Sequence, residues 1–347
     1  MRTINYQDHS IEFSDDKTAL EAIESQGLNI QSRCRQGNCH ACVLQCDEFD
    51  FNHQRSDSNA QANVSAPDNS IYGLDAKQVS MGLFLSCQCK GSDFSKDTNL
   101  TMRAAKVNVN SASVIEKKSL NDRVFSIKFT CNITWQAGQF INIHSPLGER
   151  SYSIASIQDE GVIELHISKK LNGKVSNYLF ENAKVGSKFA ISNANGDCFY
   201  HPFIYDKPLI LIGTGTGLAP LVGILKQAIK NKHEQDMHLY IAQGEPEFHY
   251  YQKQLNRLAK KHDNLKLNYI CRRNSLNIEL DNTMRVGELE DIIKQDHLSL
   301  KPFGAFICGA PDMVRNMQIQ CILSQMDRSN IRVDSFEDLP YESDIQV

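Results

Sequence analysis

Cys34-Arg35-Gln36-Gly37-Asn38-Cys39-His40-Ala41-Cys42 is the stretch on which the reading of this chain turns. Three thiols at C-x4-C-x2-C, with a later Cys87, have the spacing of an iron-sulfur ligand set, in which one wrapped loop and one distant residue converge on two bridged irons. Gly37 suits such a loop, because a backbone that wraps an inorganic core needs positive φ or close approach. Zinc is the alternative, since C-x2-C pairs also hold zinc. Zinc knuckles favour two evenly spaced pairs, whereas here the first cysteine stands four residues off the second, so iron and sulfide account for the spacing better.

Outward from this loop, the flanks read as a small folded module. Thr3 to Tyr6 and Ile11 to Phe13 alternate apolar and polar around the turn-prone Asp8-His9-Ser10, which predicts a hairpin. Asp15, Asp16 and Lys17 open a helix through Thr18 to Glu24, with acidic residues in its first turn and Gly27 as its stop. Beyond Cys46 the apolar periodicity disappears. From Asn52 to Ser70 the chain is rich in Asn, Gln, Ser, Asp and Ala, too polar to order itself by burial, and it reads as a mobile insertion. Order returns at Ile71, and Met81 to Cys89 brings the distal Leu85-Ser86-Cys87-Gln88.

Residues 1–103 resemble the plant-type ferredoxin family, in which C-R-x-G-x-C-G-x-C is followed by a distal L-x-C-Q. The resemblance implies a β-grasp fold and a [2Fe-2S] cluster held by Cys34, Cys39, Cys42 and Cys87, with Cys46 and Cys89 as buried non-ligands. His40 stands where the family usually has Gly, and the gap from Cys42 to Cys87 is lengthened by the polar insertion.

From residue 104 to 203 the pattern becomes a series of short strands: Val107 to Val109, Val124 to Phe129, Phe140 to His144, Ser151 to Ala155 and Val162 to Ile167. Period-2 runs separated by turns predict a small antiparallel β-barrel. Within it, Arg150-Ser151-Tyr152-Ser153 places Arg150 and Tyr152 on one face of a strand. Ala137-Gly138-Gln139-Phe140 precedes it and Gly173-Lys174-Val175-Ser176 follows. A flavin nucleotide needs a cation for its pyrophosphate, a flat apolar surface for its ring and a hydrogen-bonding group near N5, and this strand offers all three. Together these segments resemble the ferredoxin-NADP reductase superfamily, and the resemblance implies FAD. By position it gives Arg150 to the pyrophosphate, Tyr152 to the ring face, Ser153 to N5 and His166, Ile167 and Ser168 to the ring edge. Gly173, Val175 and Ser176 would complete the pyrophosphate site.

Residues 204–347 alternate strand and helix. Leu209 to Ile212, His238 to Ala242, Leu265 to Cys271, Ala305 to Cys308 and Ile331 to Asp334 read as strands, which predicts a doubly wound parallel sheet. The whole is thus a multidomain α+β and α/β chain. Gly213-Thr214-Gly215-Thr216-Gly217 after the first strand lets backbone approach a pyrophosphate at a helix N-terminus. With Cys308-Gly309-Ala310-Pro311 it resembles the nicotinamide motifs of the same superfamily, which implies Thr214, Cys308 and Gly309 beside the nicotinamide. Phe336 is expected to stack on the flavin until the coenzyme displaces it. Glu245, after the second strand, is suited to hold a ribose 2′-hydroxyl and repel a 2′-phosphate, which favours NADH over NADPH. Arg272 and Arg273 pull the other way.

The bulk properties agree with a water-soluble redox protein. The chain has 347 residues, 41% hydrophobic and 22% charged, with a net charge of -4. Residues 1–103 hold 9 Lys and Arg against 14 Asp and Glu, an acidity that suits docking to a basic partner face. No basic footprint for nucleic acid is present, and no apolar run approaches the roughly 18 residues of a membrane span. A start without a signal peptide and the clustering of the cysteines point to the cytoplasm. The whole layout resembles the reductase components of bacterial multicomponent oxygenases. That resemblance implies a monomeric NAD(P)H-dependent oxidoreductase passing electrons from NADH through FAD and [2Fe-2S] to an oxygenase, a hydroxylase or its ferredoxin. A reductase for a deoxysugar dehydratase shares the layout, and a redox sensor that keeps its cofactors without turnover is the reading from a different class.

Overall fold

A computed structural model of the chain describes residues 2–28, 30, 42–46, 81–94, 99–104, 109–277, 279–280 and 283–336. These fall into two compact units, one up to Ala104 and one from Val109 to Phe336.

In the first unit, β1 (Arg2–Tyr6) and β2 (His9–Phe13) form the expected hairpin. Its turn falls at Gln7 and Asp8, both left-handed (φ 48 and 65), one residue earlier than the sequence suggested. The helix α1 (Ala19–Glu24) starts at a capping box: the Thr18 hydroxyl accepts from the Glu21 N–H at 3.2 Å, and the Glu21 carboxylate accepts from the Thr18 N–H at 2.8 Å. Ala19, Leu20, Ala22 and Ile23 bury its inner face. With β3 (Val43–Cys46), β4 (Leu83–Leu85) and β5 (Asn99–Ala104) the sheet order is β2-β1-β5-β3-β4. Among the described residues only β1 and β5 run parallel, and α1 lies on this mixed five-stranded sheet in the β-grasp manner.

The second unit opens with the barrel. Its strands are β6 (Val109–Ser119), β7 (Val124–Thr130), β8 (Phe140–Ser145), β9 (Gly148–Ser153), β10 (Ile163–Ser168) and β11 (Lys188–Ser192). All pairings are antiparallel in the order β10-β7-β6-β11-β8-β9. An isolated bridge between Ile154 and Leu165 brings the two ends almost together. Phe125, Ile127, Phe129, Ile141, Ile143 and Leu165 fill the interior. The helix α2 (Lys174–Asn182) plugs this core with Val175 and Leu179. The Lys117 ammonium, on β6, donates to the carbonyls of Leu179, Phe180 and Ala183, satisfying the acceptors that the helix leaves open at its end. Its other end is left to point elsewhere.

The coenzyme-type sheet is all parallel: β12 (Leu209–Thr214), β13 (Met237–Gln243), β14 (Leu265–Cys271), β15 (Met284–Val286), β16 (Gly304–Gly309) and β17 (Ile331–Ser335), ordered β15-β14-β13-β12-β16-β17. Leu209 and Leu211 face a core shared with α3 (Leu218–Lys230) and α4 (Gln252–Ala259). Ile210 and Ile212 face one shared with α5 (Leu289–Asp296) and α6 (Pro311–Leu323). Helices thus cover both faces, as strands with continuous apolar runs require. Val124 and Ala155 of the barrel pack into the first of these cores, so barrel and sheet share buried surface. Among the described residues no helix is long and apolar enough to cross a membrane.

Candidate active site

The parallel sheet fixes where a ligand can enter. From β12 the chain steps outward through β13, β14 and β15, then returns to β16 on the other side of β12. The strand order reverses between β12 and β16, and the connections leaving their carboxyl ends diverge to open a crevice. Thr214 and Cys308 stand at those two ends, where Gly213 pairs with Cys308. The glycines there are sterically required. A Cβ on Gly217 would lie 2.1 Å from the Cys308 carbonyl oxygen, and one on Gly309 (φ +133) 2.4 Å from Thr214 Oγ1. Thr214 Oγ1 also accepts from the Ala310 N–H at 3.1 Å, so the two turns interlock. Helix α3 begins directly after them with no side-chain cap, which leaves first-turn N–H groups aimed at the crevice.

Across the crevice lies the end of β9. Ser153, buried, donates from Oγ to Asp334 Oδ2 at 2.7 Å. Asp334 is on β17 and pairs in register with Cys308. Ser153, Cys308 and Asp334 therefore meet at one place, although barrel and sheet contribute them separately. Cys308 is fully buried, its Sγ 3.6 Å from that of Cys198. Burial pushes its thiol far up, with Cys198 and Asp334 adding to the effect. Phe336 extends β17, its N–H donating to the Gly309 carbonyl at 2.8 Å, beside the same mouth. Asp334 was not singled out from the sequence. The available signal was an acid within the strand Ile331-Arg332-Val333-Asp334, two residues before the aromatic already chosen.

On the barrel, Arg150 and Tyr152 are half-buried on the same face of β9. Among the described residues Arg150 has no carboxylate partner, only a 3.4 Å bond from Nη1 to the Glu149 carbonyl. Gly173 caps α2 without a side chain, and a Cβ there would lie 2.3 Å from Ser176 Oγ. A half-buried cation without a counter-ion and an uncapped helix start make an anion cradle. Val175 is buried against the barrel core and offers only its backbone.

The three residues expected at the ring edge divide. The His166 imidazole is buried, 3.3 Å from a Glu164 carboxylate oxygen and 3.4 Å from the Tyr250 hydroxyl. Burial holds its pKa below the usual histidine value, against the pull of Glu164. Ile167 points into the barrel core and Ser168 is half-buried. Since β10 ends the sheet order, the outer backbone edge of these residues is what faces away from β7.

Just past the carboxyl end of β13 the acid Glu245 is held firmly. Its Oε2 accepts from the Ser275 N–H at 2.9 Å, its Oε1 from the Ser275 hydroxyl at 2.7 Å, and Arg273 Nε lies 3.6 Å away. The Ser275 N–H, then its hydroxyl, and Arg273 to a lesser degree, hold this carboxyl below the usual range.

In the first unit, Cys42 and Cys87 are both buried and lie beside each other in the chain trace, because Ser86 donates from N and Oγ to the Cys42 carbonyl at 3.0 and 2.8 Å. Gln88 Nε2 is 3.4 Å from Cys87 Sγ. Cys46 and Cys89 are sunk in the same core, and burial pushes the Cys89 thiol well up. Cys34, Cys39 and His40 lie outside the described residues, as does the 52–70 insertion.

Comparison with known proteins follows the same three-part division. Residues 2–91 match the 2Fe-2S iron-sulfur cluster binding domain, residues 111–200 the oxidoreductase FAD-binding domain, and residues 211–318 the oxidoreductase NAD-binding domain. The reductase component of the naphthalene 1,2-dioxygenase system of Pseudomonas putida is 27% identical over 305 residues, covering 88% of each chain. The CDP-6-deoxy-L-threo-D-glycero-4-hexulose-3-dehydrase reductase of Yersinia pestis is 26% identical over 316 residues, covering 86% of each. Among solved structures, the cytochrome P450 reductase GcoB of Amycolatopsis superposes with a TM-score of 0.64 at 23% identity, over 97% of this chain and 99% of that one.

Proposed function

We propose that this chain, which carries a 2Fe-2S iron-sulfur cluster binding domain ahead of FAD-binding and NAD-binding oxidoreductase domains, draws electrons from NADH and delivers them singly to a protein partner of the oxygenase class. The observation that carries this is the Ser153 to Asp334 hydrogen bond, which puts a flavin-side hydroxyl and a coenzyme-side carboxylate at one crevice.

The residues present fit FAD. Arg150 is a cation without a carboxylate partner among the described residues, Gly173 opens a helix whose first N–H groups are uncapped, and Ser153 supplies a buried hydroxyl at the crevice. They also fit a cluster, in that Cys42 and Cys87 are soft thiol donors brought together by the Ser86 bonds. When bound, FAD converts a two-electron donor into single electrons and the [2Fe-2S] cluster carries them one at a time.

The protein's part is placement and proton management. Arg150 and the α2 N-terminus bind the pyrophosphate of FAD, and Tyr152 covers its ring. The turns at Gly213 to Gly217 and Cys308 to Gly309 bind the coenzyme's phosphates and orient its nicotinamide, once Phe336 turns aside. Ser153 Oγ keeps its proton on Asp334 and so presents a lone pair to a ring N–H. Rotation of the hydroxyl makes it a donor instead, with Asp334 fixing which is preferred. The buried thiol of Cys308 packs the floor of the crevice and keeps water from it.

Glu245 is the acceptor for the adenosine ribose and the reason for preferring NADH. Cys34 and Cys39, outside the described residues, would hold the cluster with Cys42 and Cys87. A dehydratase partner is the second reading, favoured by the Yersinia relative, whose name is that of a dehydrase reductase. The deciding experiment is an absorption spectrum before and after anaerobic NADH, with iron and flavin assayed on the same sample. Flavin and cluster bands that both bleach support the relay, whereas flavin with zinc and no iron would sink it. Reconstitution with purified oxygenase or dehydratase separates the two partners.

A further inference from the structure

The loops at the carboxyl ends of the neighbouring strands β13 and β14 are stapled to each other. Their strand pairing continues past Cys271, with the Arg272 N–H donating to the Gln243 carbonyl and the Arg273 N–H to the Gly244 carbonyl, both at 3.0 Å. This continuation carries Glu245 to Ser275, which grips both carboxylate oxygens at 2.7 and 2.9 Å. Arg272 and Arg273 are adjacent, mostly exposed cations, at 70% and 74% side-chain exposure, and each faces a carboxylate: Arg272 Nε lies 3.2 Å from Glu288 and Arg273 Nε 3.6 Å from Glu245.

We propose that Ser275 is a positioning residue for coenzyme selection, fixing Glu245 to accept the adenosine ribose hydroxyls, while Glu245 and Glu288 keep Arg273 and Arg272 from acting as a 2′-phosphate site. This rests on the reading of Glu245 as the ribose acceptor. A carboxylate has about four acceptor positions. Ser275 uses one on each oxygen and leaves the others, now in a fixed direction, for the neighbouring 2′- and 3′-hydroxyls of a ribose. A 2′-phosphate would bring a dianion against that same carboxylate. Two adjacent guanidinium groups are otherwise good phosphate ligands. Exposed ion pairs are weak and exchange readily, so the arginines are restrained only as long as their acids remain.

The test uses the holoenzyme with ferricyanide as acceptor, NADH and NADPH as donors, and calorimetric titration of the oxidised protein with ADP-ribose and its 2′-phosphate. Ser275→Ala is expected to raise the KM for NADH about 5-fold with little change in kcat, the loss of one hydrogen bond to a charged group. Ser275→Thr, which keeps both donors, is expected to restore it. Glu245→Gln should lower the NADH to NADPH ratio of kcat/KM by about 20-fold or more and tighten binding of the 2′-phosphate, since a like-charge repulsion is removed. Glu288→Gln should tighten the 2′-phosphate alone. A wild-type preference for NADPH would overturn the reading of Glu245 and this inference with it. A wild-type preference for NADH that survives Ser275→Ala and Glu245→Gln within about 2-fold would overturn the clamp and leave the function standing.

Discussion

Ser153 and Asp334 are 181 positions apart in sequence and share one hydrogen bond. Its removal should separate binding from chemistry. Ser153→Ala is expected to retain FAD, read as an unchanged flavin to protein ratio, and to slow flavin bleaching by NADH in stopped flow on the order of 100-fold, the usual scale for losing a positioned proton-handling group. Equal rates in the two proteins would remove Ser153 from the mechanism. A second residue, His249, governs stability. It is buried, its Nε2–H donates to the Ile270 carbonyl at 2.9 Å, and its Nδ1 has no partner among the described residues. Burial pulls its pKa down to about 4, against the hydrogen bond to Ile270. Because the folded value lies below the unfolded value of about 6.5, the unfolded chain binds the proton first as pH falls. This contribution is complete above about pH 6.5 and is lost between there and pH 4, about 3 kcal/mol in all. Urea midpoints at pH 7 and pH 5 should therefore differ less in His249→Phe than in the wild type.

At the level of elements, the interlocked turns after β12 and β16 are the least forgiving part of the fold. Gly217→Ala or Gly309→Ala would drive a methyl group into the opposing backbone or Thr214. Each is expected to cost about 2 to 4 kcal/mol in thermal unfolding and to abolish coenzyme binding. A variant with normal melting and normal NADH affinity would contradict the steric account. These same turns were legible in the sequence, because glycine, threonine and proline at fixed offsets after an apolar run have few structural meanings. Five of the six strands of the sheet were legible from their apolar content, most plainly β12 and β16, which are continuous apolar runs. What escaped had weaker signals. Met284 to Val286 forms a three-residue edge strand with no buried pattern. Lys188 to Ser192 completes the barrel with a run interrupted by an exposed lysine and an exposed alanine. The β9 strand starts at Gly148, three residues before the reading at Ser151; Glu149 to Tyr152 are all half-buried, so no alternation marks its start. Asp334 escaped because its importance comes from its partner Ser153 on another strand, and an acid near the end of an apolar strand is too faint a signal to point there.

For the molecule as a whole, the relay has an order that one substitution can expose. Cys42→Ser is expected to bind little iron and to keep FAD, reducing ferricyanide from NADH but failing with cytochrome c as acceptor. Loss of both activities with FAD still bound would refute the order in which the electrons travel. The three-part layout was legible in advance since each part carries its own cofactor chemistry in a few spaced residues. The partner was not, because no residues at fixed spacing in the sequence name it.

β17 lies at an edge of its sheet, bonded only to β16 within it, yet it carries Asp334 and leads into Phe336. Synthesised after every other described strand, β17 closes the molecule from its last-made end: a chain cut short before it lacks both the Ser153 to Asp334 bond that ties barrel to sheet and the Ile331 and Val333 side chains of the sheet core.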